Sequence, residues 1–527
     1  MIVVCVINPI KIGRTYDCHI SSQQHINMLT TTVFLFIVVS VLLLAKELFY
    51  HVSRNNKNLP PGPVGVPLLG YLPFLNVFDL GDSFDKLSRR FGNVFSIKVG
   101  TELAVVLNDF DVIVKAFSRP ELLARPDTFM FRFFSQGQRG IASASGEDWK
   151  VQRSFTSTHM KRLAKSNSRM EKLMEEEFEI LAREMEAKSS SGTAVEIGYD
   201  INASIANTTW AMVSGQSAER TCPRMRNFLK AVHGAIEAAS TSGILLFMPF
   251  LLKVLPERLF GITKMRQWMR ESNEFIKDNV DAQRQVKEAS VDGKSGTDSL
   301  IGAFLQEASK KGCHKSFNGE QLEVLCSEMF GAGGEPTSVT LRWALRFLAE
   351  NPDIQKMAHE EIAAQVGQDR KVTLADRKLL PYTQGLVMEL IRLSDIHPIG
   401  VLHAPDKDTT IEGFTVPKGT FIFPNFHKVH RDPAHWGKTP EAIQPQHWLN
   451  DDGEFVPNHR GFLAFGIGPR NCPGQDFARS QLFFYIANFI QRFKFRLTES
   501  DNGVECSQGC VVSPKPFDLT LQSRMNA

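Results

Sequence analysis

Residues 465–490 read FGIGPRNCPGQDFARSQLFFYIANFI, and the reading of the whole chain turns on them. Gly466, Gly468, Pro469, Pro473 and Gly474 crowd the first ten positions, so the backbone must turn tightly there, and Cys472 sits inside the turn. Helical apolar spacing follows from Gln475 and predicts a helix that opens just after the cysteine. The positive end of a helix dipole favours a thiolate. A thiolate in a rigid loop is a metal ligand or a nucleophile, and the competing reading is a small cysteine packed in a core. A nucleophile wants a histidine base, which no signature here supplies. A lone thiolate ligand without a companion cysteine points to a metal already held by something else, such as haem iron.

Composition narrows the field. The chain has 527 residues, 43% apolar and 22% charged, enough to bury a large core, and its 37 Gly and 26 Pro are ordinary for a globular protein. With 60 Lys and Arg against 57 Asp and Glu, the net charge of +3 speaks against a nucleic-acid partner. The cysteines (Cys5, Cys18, Cys222, Cys313, Cys326, Cys472, Cys506 and Cys510) are scattered, as suits a reducing compartment. His359-Glu360 opens like a zinc-binding helix, but Ala363 stands where the second histidine belongs. Gly466-Ile-Gly468 lacks the third glycine of a dinucleotide fingerprint, and no Walker loop occurs, so no nicotinamide or nucleotide site is visible.

Residues 26–45, INMLTTTVFLFIVVSVLLLA, carry no charge over a length that spans a hydrocarbon core, which predicts a single transmembrane anchor. Lys46 and Glu47 follow where a cleaved signal peptide would show small residues. Lys46, Arg54 and Lys57 outweigh Lys11 and Arg14, which leans towards a cytoplasmic body and leaves the sequons at Asn202 and Asn207 unglycosylated. Residues 1–25 form an extension, and the native chain is expected to begin near Met28. Residues 46–70 end in LPPGPVGVPLLG, a stiff Pro-rich link to a body over 71–527.

Within that body NVFSIKVGTELAVVLN reads as a hairpin across Gly100-Thr101, and IEGFTVPKGTFIF as two short strands around Pro417-Lys418-Gly419. Most other segments, such as MEKLMEEEFEILAREMEAK and PDIQKMAHEEIAAQV, have helical spacing with charged outer faces. Residues 330–345, FGAGGEPTSVTLRWAL, are the exception. The flanks are helical, yet Gly331, Gly333, Gly334 and Pro336 interrupt the middle, where a helix tolerates them least.

Phe465, Gly468, Arg470, Cys472 and Gly474 match the FxxGxRxCxG loop of the cytochrome P-450 family, which the chain resembles. The likeness extends to Glu389 and Arg392 of the family's ExxR pair and to Trp149 and Arg153 of its WxxxR. It also takes in PEAIQPQHW from Pro440, where Ile443 and Trp448 replace two phenylalanines. Anchor and Pro-rich hinge are similar to those of its microsomal, drug- and steroid-oxidising members.

The resemblance implies a mainly α fold with small β-sheets, holding haem b between a long distal helix and the proximal cysteine loop. Cys472 would be the axial ligand whose electron donation helps cleave the O–O bond, with Phe465, Gly468 and Gly474 shaping its surroundings. Trp149, Arg153 and Arg470 would bind the haem propionates, with His403 and Arg125 as further members. Glu389 and Arg392 would form a buried pair completed by His447, where the family usually has arginine. The aromatic segment over 124–142 would roof a pocket for a hydrophobic small molecule, and GILLFMPFLLKVLPERLF from Gly243 would dip into membrane lipid. The implied activity is insertion of one oxygen atom from O2, with electrons from NADPH through a separate flavoprotein reductase, at the endoplasmic reticulum membrane.

One departure keeps two other functions open. Against the distal pattern A/G-G-x-D/E-T-T, Ala332, Gly333 and Glu335 fit, but Pro336 takes the place of the oxygen-activating threonine, and Thr337 lies about 100° further round the helix. Proline can open the helix but cannot deliver a proton. A haem-thiolate isomerase or dehydratase of oxygenated lipids, or a non-catalytic haem-binding protein, would tolerate that change.

Overall fold

The computed structural model describes residues 58–77, 79–165, 167–189, 194–217, 242–289, 299–498 and 511–524, together with isolated positions. The predicted anchor and the extension before it lie outside these stretches. Among the described residues no helix is long and apolar enough to cross a membrane.

The helices that position the site are α1 (Leu80–Phe91), α2 (Phe110–Phe117), α3 (Gly146–Lys165), α4 (Asn167–Ser189), α5 (Gly198–Ser214), α6 (Ile262–Ala289), α7 (Leu300–Ala308), α8 (Gly319–Glu350), α9 (Pro352–Gln365), α10 (Pro381–Ser394) and α11 (Gln475–Arg492). At 32 residues, α8 runs roughly 48 Å. It starts where Asn318 accepts the Gln321 amide proton. It packs against α5, α10 and α11, which makes it the axis of the body. Gly333 permits the contact with α5, because a Cβ there would lie 2.9 Å from Thr209 Cγ2.

Helix α11 is buried on nearly every side from Ser480 to Ile490, and its residues Leu482, Phe483, Phe484, Tyr485, Ile486 and Phe489 anchor the main core. The Tyr485 hydroxyl meets Ser204 Oγ of α5 at 2.7 Å, so the buried phenol is satisfied. Asn207 is also buried and donates to Glu177, so this sequon offers no glycan site.

Strands β1 (Val94–Val99) and β2 (Glu102–Leu107) form the expected antiparallel hairpin, with Val99 opposite Glu102. The pair expected around Pro417-Lys418-Gly419 is divided between two sheets. β3 (Thr409–Ile411) pairs with β4 (Phe414–Val416) across Glu412 and Gly413, whose φ values of 47° and 81° are those of a two-residue hairpin turn. β5 (Phe421–Pro424) instead joins β2 in parallel, and β6 (Phe493–Leu497) pairs with β7 (Leu519–Ser523). The Pro-rich link is docked rather than free over its second half. Ser96 of β1 donates its amide to Pro61 O at 2.7 Å and its hydroxyl to Pro60 O at 2.8 Å.

The turn over 445–448 lies against α10 at Gly385, where a Cβ would stand 2.5 Å from Pro445 O and 3.4 Å from Trp448 Cβ. The obstacle is backbone and cannot swing aside. Gly385→Ala is therefore expected to destabilise the protein by about 1–3 kcal/mol, read as a lower Tm by calorimetry. An unchanged Tm would show that the turn is free to retreat.

Candidate active site

The cysteine loop is closed by its own backbone. Cys472 donates its amide proton to Phe465 O at 2.7 Å, and Gly466 and Gly468 take φ values of 68° and 73°. Gly468 is also required by contact, since a Cβ there would lie 2.3 Å from Phe117 O at the end of α2. Gly474 stands at the N-cap of α11, and its amide hydrogen bond pulls the Cys472 thiol pKa down, as do Arg153 and Arg479. Burial is the larger effect and leaves the thiol raised. The helix start alone therefore does not produce the thiolate that its position suggested. A bound cation would, because metal coordination deprotonates a thiol outright.

Beside the loop lie three guanidinium groups. Arg470 donates to the carbonyls of Leu123 (2.8 Å), Ile141 (3.1 Å) and Ala144 (2.7 Å), and it lies 3.7 Å over the Trp149 ring. Arg125 donates to Ala142 O (2.9 Å) and Leu402 O (2.7 Å), and Arg153 holds Asn471 through its carbonyl and its side chain. Carbonyl and amide oxygens accept from all three, but such neutral partners leave the charge uncancelled. Burial and mutual repulsion push Arg125 down to about 9 and Arg470 to about 8, with Glu328 pulling the other way. Buried Trp149 Nε1 has no hydrogen-bond partner among the described residues. A dianionic group with two carboxylates beside Cys472 would supply both the missing negative charge and the missing acceptor, as the propionates of haem do.

His403 backs this cluster without adding a donor to it. Nδ1 donates to Leu122 O at 2.7 Å, the ring stacks on Phe117 at 3.9 Å, and burial with the charge of Arg125 holds its pKa well below the usual histidine range. A neutral ring with the proton on Nδ1 offers only a lone pair at Nε2.

Glu328 of α8 belongs to the site although the sequence reading did not single it out. Its Oε2 accepts the amide protons of Ile141 (2.6 Å) and Ala142 (3.1 Å), and a Cβ on Gly140, at φ 78°, would lie 2.2 Å from the same oxygen. Burial lifts its carboxyl pKa to about 7 against the pull of those amides and of Arg470. The signal available in the sequence was a lone acid within VLCSEMFGAG, an otherwise apolar helical run.

Helix α8 stays continuous through Pro336. Proline gives no N–H to Ala332 O. Nearby hydroxyls bind carbonyls of the same turns. Thr337 Oγ1 donates to Gly333 O at 2.9 Å, Ser338 Oγ to Glu335 O at 2.9 Å, and Thr340 Oγ1 to Pro336 O at 2.8 Å. Thr337 is buried, with its proton already placed. Ala332 is exposed, and a Cβ on Gly331 or Gly334 would meet nothing within 4 Å. Gly331 and Gly334 thus leave room beside the helix, whereas Gly333 is spent on contact with α5. Arg342, whose pKa burial lowers, is supported by the charges of Glu196 and Glu335 and donates to Ser513 Oγ and Pro514 O.

Behind the loop, Glu389 and Arg392 of α10 are fully buried. Arg392 Nε donates to Glu389 Oε2 at 3.1 Å, while His447 Nδ1 and Trp448 Nε1 each reach Oε1 at 3.0 Å. Arg392 also donates to the carbonyls of His430 (2.7 Å), Pro440 (2.6 Å) and Ala442 (3.3 Å), and lies over the Trp436 ring. Burial pushes the Glu389 carboxyl up, but His447 and Arg392 outweigh it and leave the pKa lowered. His447 thus occupies the expected third position, and Trp448 adds a donor that phenylalanine could not. Glu389→Ala strands a buried guanidinium and is expected to cost about 3–5 kcal/mol, seen as a collapse of Tm and haem content. Full haem content with normal melting would show that the pair carries no load.

The geometry agrees with relationships along most of the chain. The family model for cytochrome P-450 matches residues 60–521. Cytochrome P-450 2J3 of Rattus norvegicus is 32% identical over 500 residues, covering 92% of this chain and 96% of its own. Cytochrome P-450 2U1 of Homo sapiens is 29% identical over 504 residues (89% and 90%), and cytochrome P-450 2L1 of Panulirus argus 27% over 486 (90% and 97%). The chain belongs to the cytochrome P-450 family, and is by that membership a haem-thiolate monooxygenase.

Proposed function

We propose that Cys472 would supply the thiolate that holds a haem, that Arg125, Arg153, Arg470 and Trp149 would hold its propionates, and that electrons would arrive from NADPH through a separate flavoprotein reductase. The observation that carries this reading is the excess of half-buried guanidinium charge beside a half-buried cysteine, with a buried indole N–H that finds no partner among the described residues. Haem in this setting supplies activation of O2 and transfer of one oxygen atom to a C–H bond. The chain's own residues hold and tune it. The Gly474 amide beside the sulfur tempers its donation, and Gly468 fixes the loop against α2.

The substrate side is apolar. Phe129, Phe133 and Phe134 pack with Leu245, Phe260, Ile262 and Met265, so part of the expected roof is itself core. Exposed Leu68, Leu69 and Phe74 lie on one side of the β1–β2 turn, and exposed Phe250, Val254, Leu255 and Leu259 follow the segment on its other side. Gly100 N donates to Leu69 O and Thr101 N to Phe247 O, which joins the two segments at that turn. This apolar surface suits a body resting on the endoplasmic reticulum membrane, with the anchor before it and lipid-soluble substrates entering there.

Proton delivery falls to Glu335, to ordered water or to a substrate hydroxyl, because Pro336 has no hydroxyl and Thr337 has already placed its own. Cys472→Ala is expected to abolish the red-shifted Soret band of the reduced, carbon-monoxide-bound protein. A normal band in that variant would sink the ligand assignment. The wild type is expected to leak peroxide, and Pro336→Thr to raise product formed per NADPH consumed. Tight coupling in the wild type that falls in Pro336→Thr would show a site adapted to its proline. Turnover of a lipid hydroperoxide without NADPH would favour the isomerase.

A further inference from the structure

We infer that His430 is a positioning residue for the cysteine loop: its ring holds the backbone amide of Leu463 and so sets where residues 463–472 present Cys472. The inference deepens the ligand assignment above and rests on it.

His430 ends the short helix Phe426–His430 and is 2% exposed. Three contacts converge on it. Its carbonyl accepts a proton from Arg392 Nη1 at 2.7 Å, its Nε2 accepts the Leu463 amide proton at 3.0 Å, and its Nδ1 lies 3.4 Å from Asp395 Oδ1. An amide can only donate, so Nε2 must be bare and the ring proton sits on Nδ1, facing Asp395. Asp395, at the end of α10 with φ 42°, is fixed in turn by His427 Nδ1 and Arg431 Nη1, both at 2.6 Å. A carboxylate thus selects the tautomer, and the tautomer supplies the acceptor. Two residues beyond Leu463, Phe465 O takes the Cys472 amide proton. One residue, through its carbonyl and its ring, therefore links the Glu389–Arg392 pair to the segment that enters the ligand loop. Leu463 is 1% exposed, so water offers its amide no easy substitute.

The arrangement has a sign in pH. Protonated His430 carries hydrogen on both ring nitrogens and cannot accept from Leu463. The groups facing it are Arg392 of α10, Asp395 just past its end, and Arg431 from its own segment, with His427 bonded to the far oxygen of Asp395. Burial lowers its pKa, with Arg392 and Arg431 in the same direction and Asp395 opposed. A depressed folded pKa means that the neutral ring's contribution is complete above the ordinary histidine value of about 6.5 and lost as pH falls through the folded value.

The test uses the haem-loaded protein. The thiolate fraction of the reduced, carbon-monoxide-bound spectrum is followed between about pH 8 and 5, alongside amide hydrogen exchange of a peptide covering 463–465. His430→Phe keeps a ring but removes the acceptor, and is expected to lose the thiolate band at every pH with faster exchange at Leu463. His430→Gln offers a carbonyl oxygen that does not titrate. It should keep the band at neutral pH and retain it at acidic pH where the wild type loses it. A Phe variant with full thiolate signal and unchanged exchange would overturn the inference, as would a Gln variant that lacks the band at neutral pH or follows the wild-type pH profile. If the Phe variant does not fold, the comparison of Gln with wild type decides. Cys472→Ala separates the two readings, because a surviving band there removes the ligand assignment itself.

Discussion

Two opposite charges, Glu389 and Arg392, sit at zero exposure one helical turn apart, and much of the proximal half of the molecule is arranged around them. Attraction alone does not justify such a pair, because desolvation of both ions cancels much of it. What matters is how their remaining capacity is used. Glu389 gives its second oxygen to His447 and Trp448, and Arg392 gives its spare protons to the carbonyls of His430, Pro440 and Ala442. These partners fall within 430–448, a stretch of single turns with little regular secondary structure of its own. The ion pair does for that stretch what a hydrogen-bond ladder does for a sheet. Its aromatic lid, Trp436 over the guanidinium, keeps water from competing.

The opposite condition holds on the other side of the cysteine loop. Arg125, Arg153 and Arg470 donate to backbone carbonyls or to Asn471, yet the carboxylate that opposes the charge of Arg125 and Arg470 is Glu328, whose own pKa burial raises to about 7 against the pull of backbone amides. A buried charge that is paired builds structure, and a buried charge left over specifies a ligand. The same residue type thus fills two roles in one chain, and local charge balance tells them apart. The loop over 140–145 connects the two sides of this balance: its amides face Glu328 while its carbonyls face Arg125 and Arg470.

Much of this was legible in the sequence because the residues concerned are rigid or chemically singular. Glycines and prolines around Cys472 announced a tight loop, ExxR spacing placed two charges on one helix face, and alternation over 94–107 announced a hairpin. What stayed hidden depended on partners distant in sequence. Glu328 is only a lone acid in an apolar helical run until the amides of Ile141 and Ala142 are brought to it. Gly333 reads as part of a ligand groove until α5 arrives with Thr209. The separation of β4 from β5 turned on Glu412 taking a positive φ, which a non-glycine residue seldom does. The thiol of Cys472 stood nearest a thiolate when only its helix start was counted, and burial, a tertiary property, reversed the balance.

The distal helix shows how geometry and chemistry can part at a single residue. A threonine in the family's position serves both to keep a gap in the helix and to carry a mobile proton. Pro336 retains the first function by the bluntest means, the absence of an N–H, and the neighbouring hydroxyls of Thr337, Ser338 and Thr340 are all turned onto helix carbonyls. None of the three is placed to move a proton across the gap. The helix is braced from outside by α5 against Gly333 and by Arg342 reaching residues 513 and 514. What remains at the opening is a carbonyl, Ala332 O, to which Pro336 offers no amide proton, with the Glu335 carboxylate three residues on. Both are acceptors, and acceptors organise protons only when something else brings them. Under the function proposed above, a hydroxyl on the substrate or a water beside Ala332 would bring the proton that Glu335 and Ala332 O can only receive or pass on.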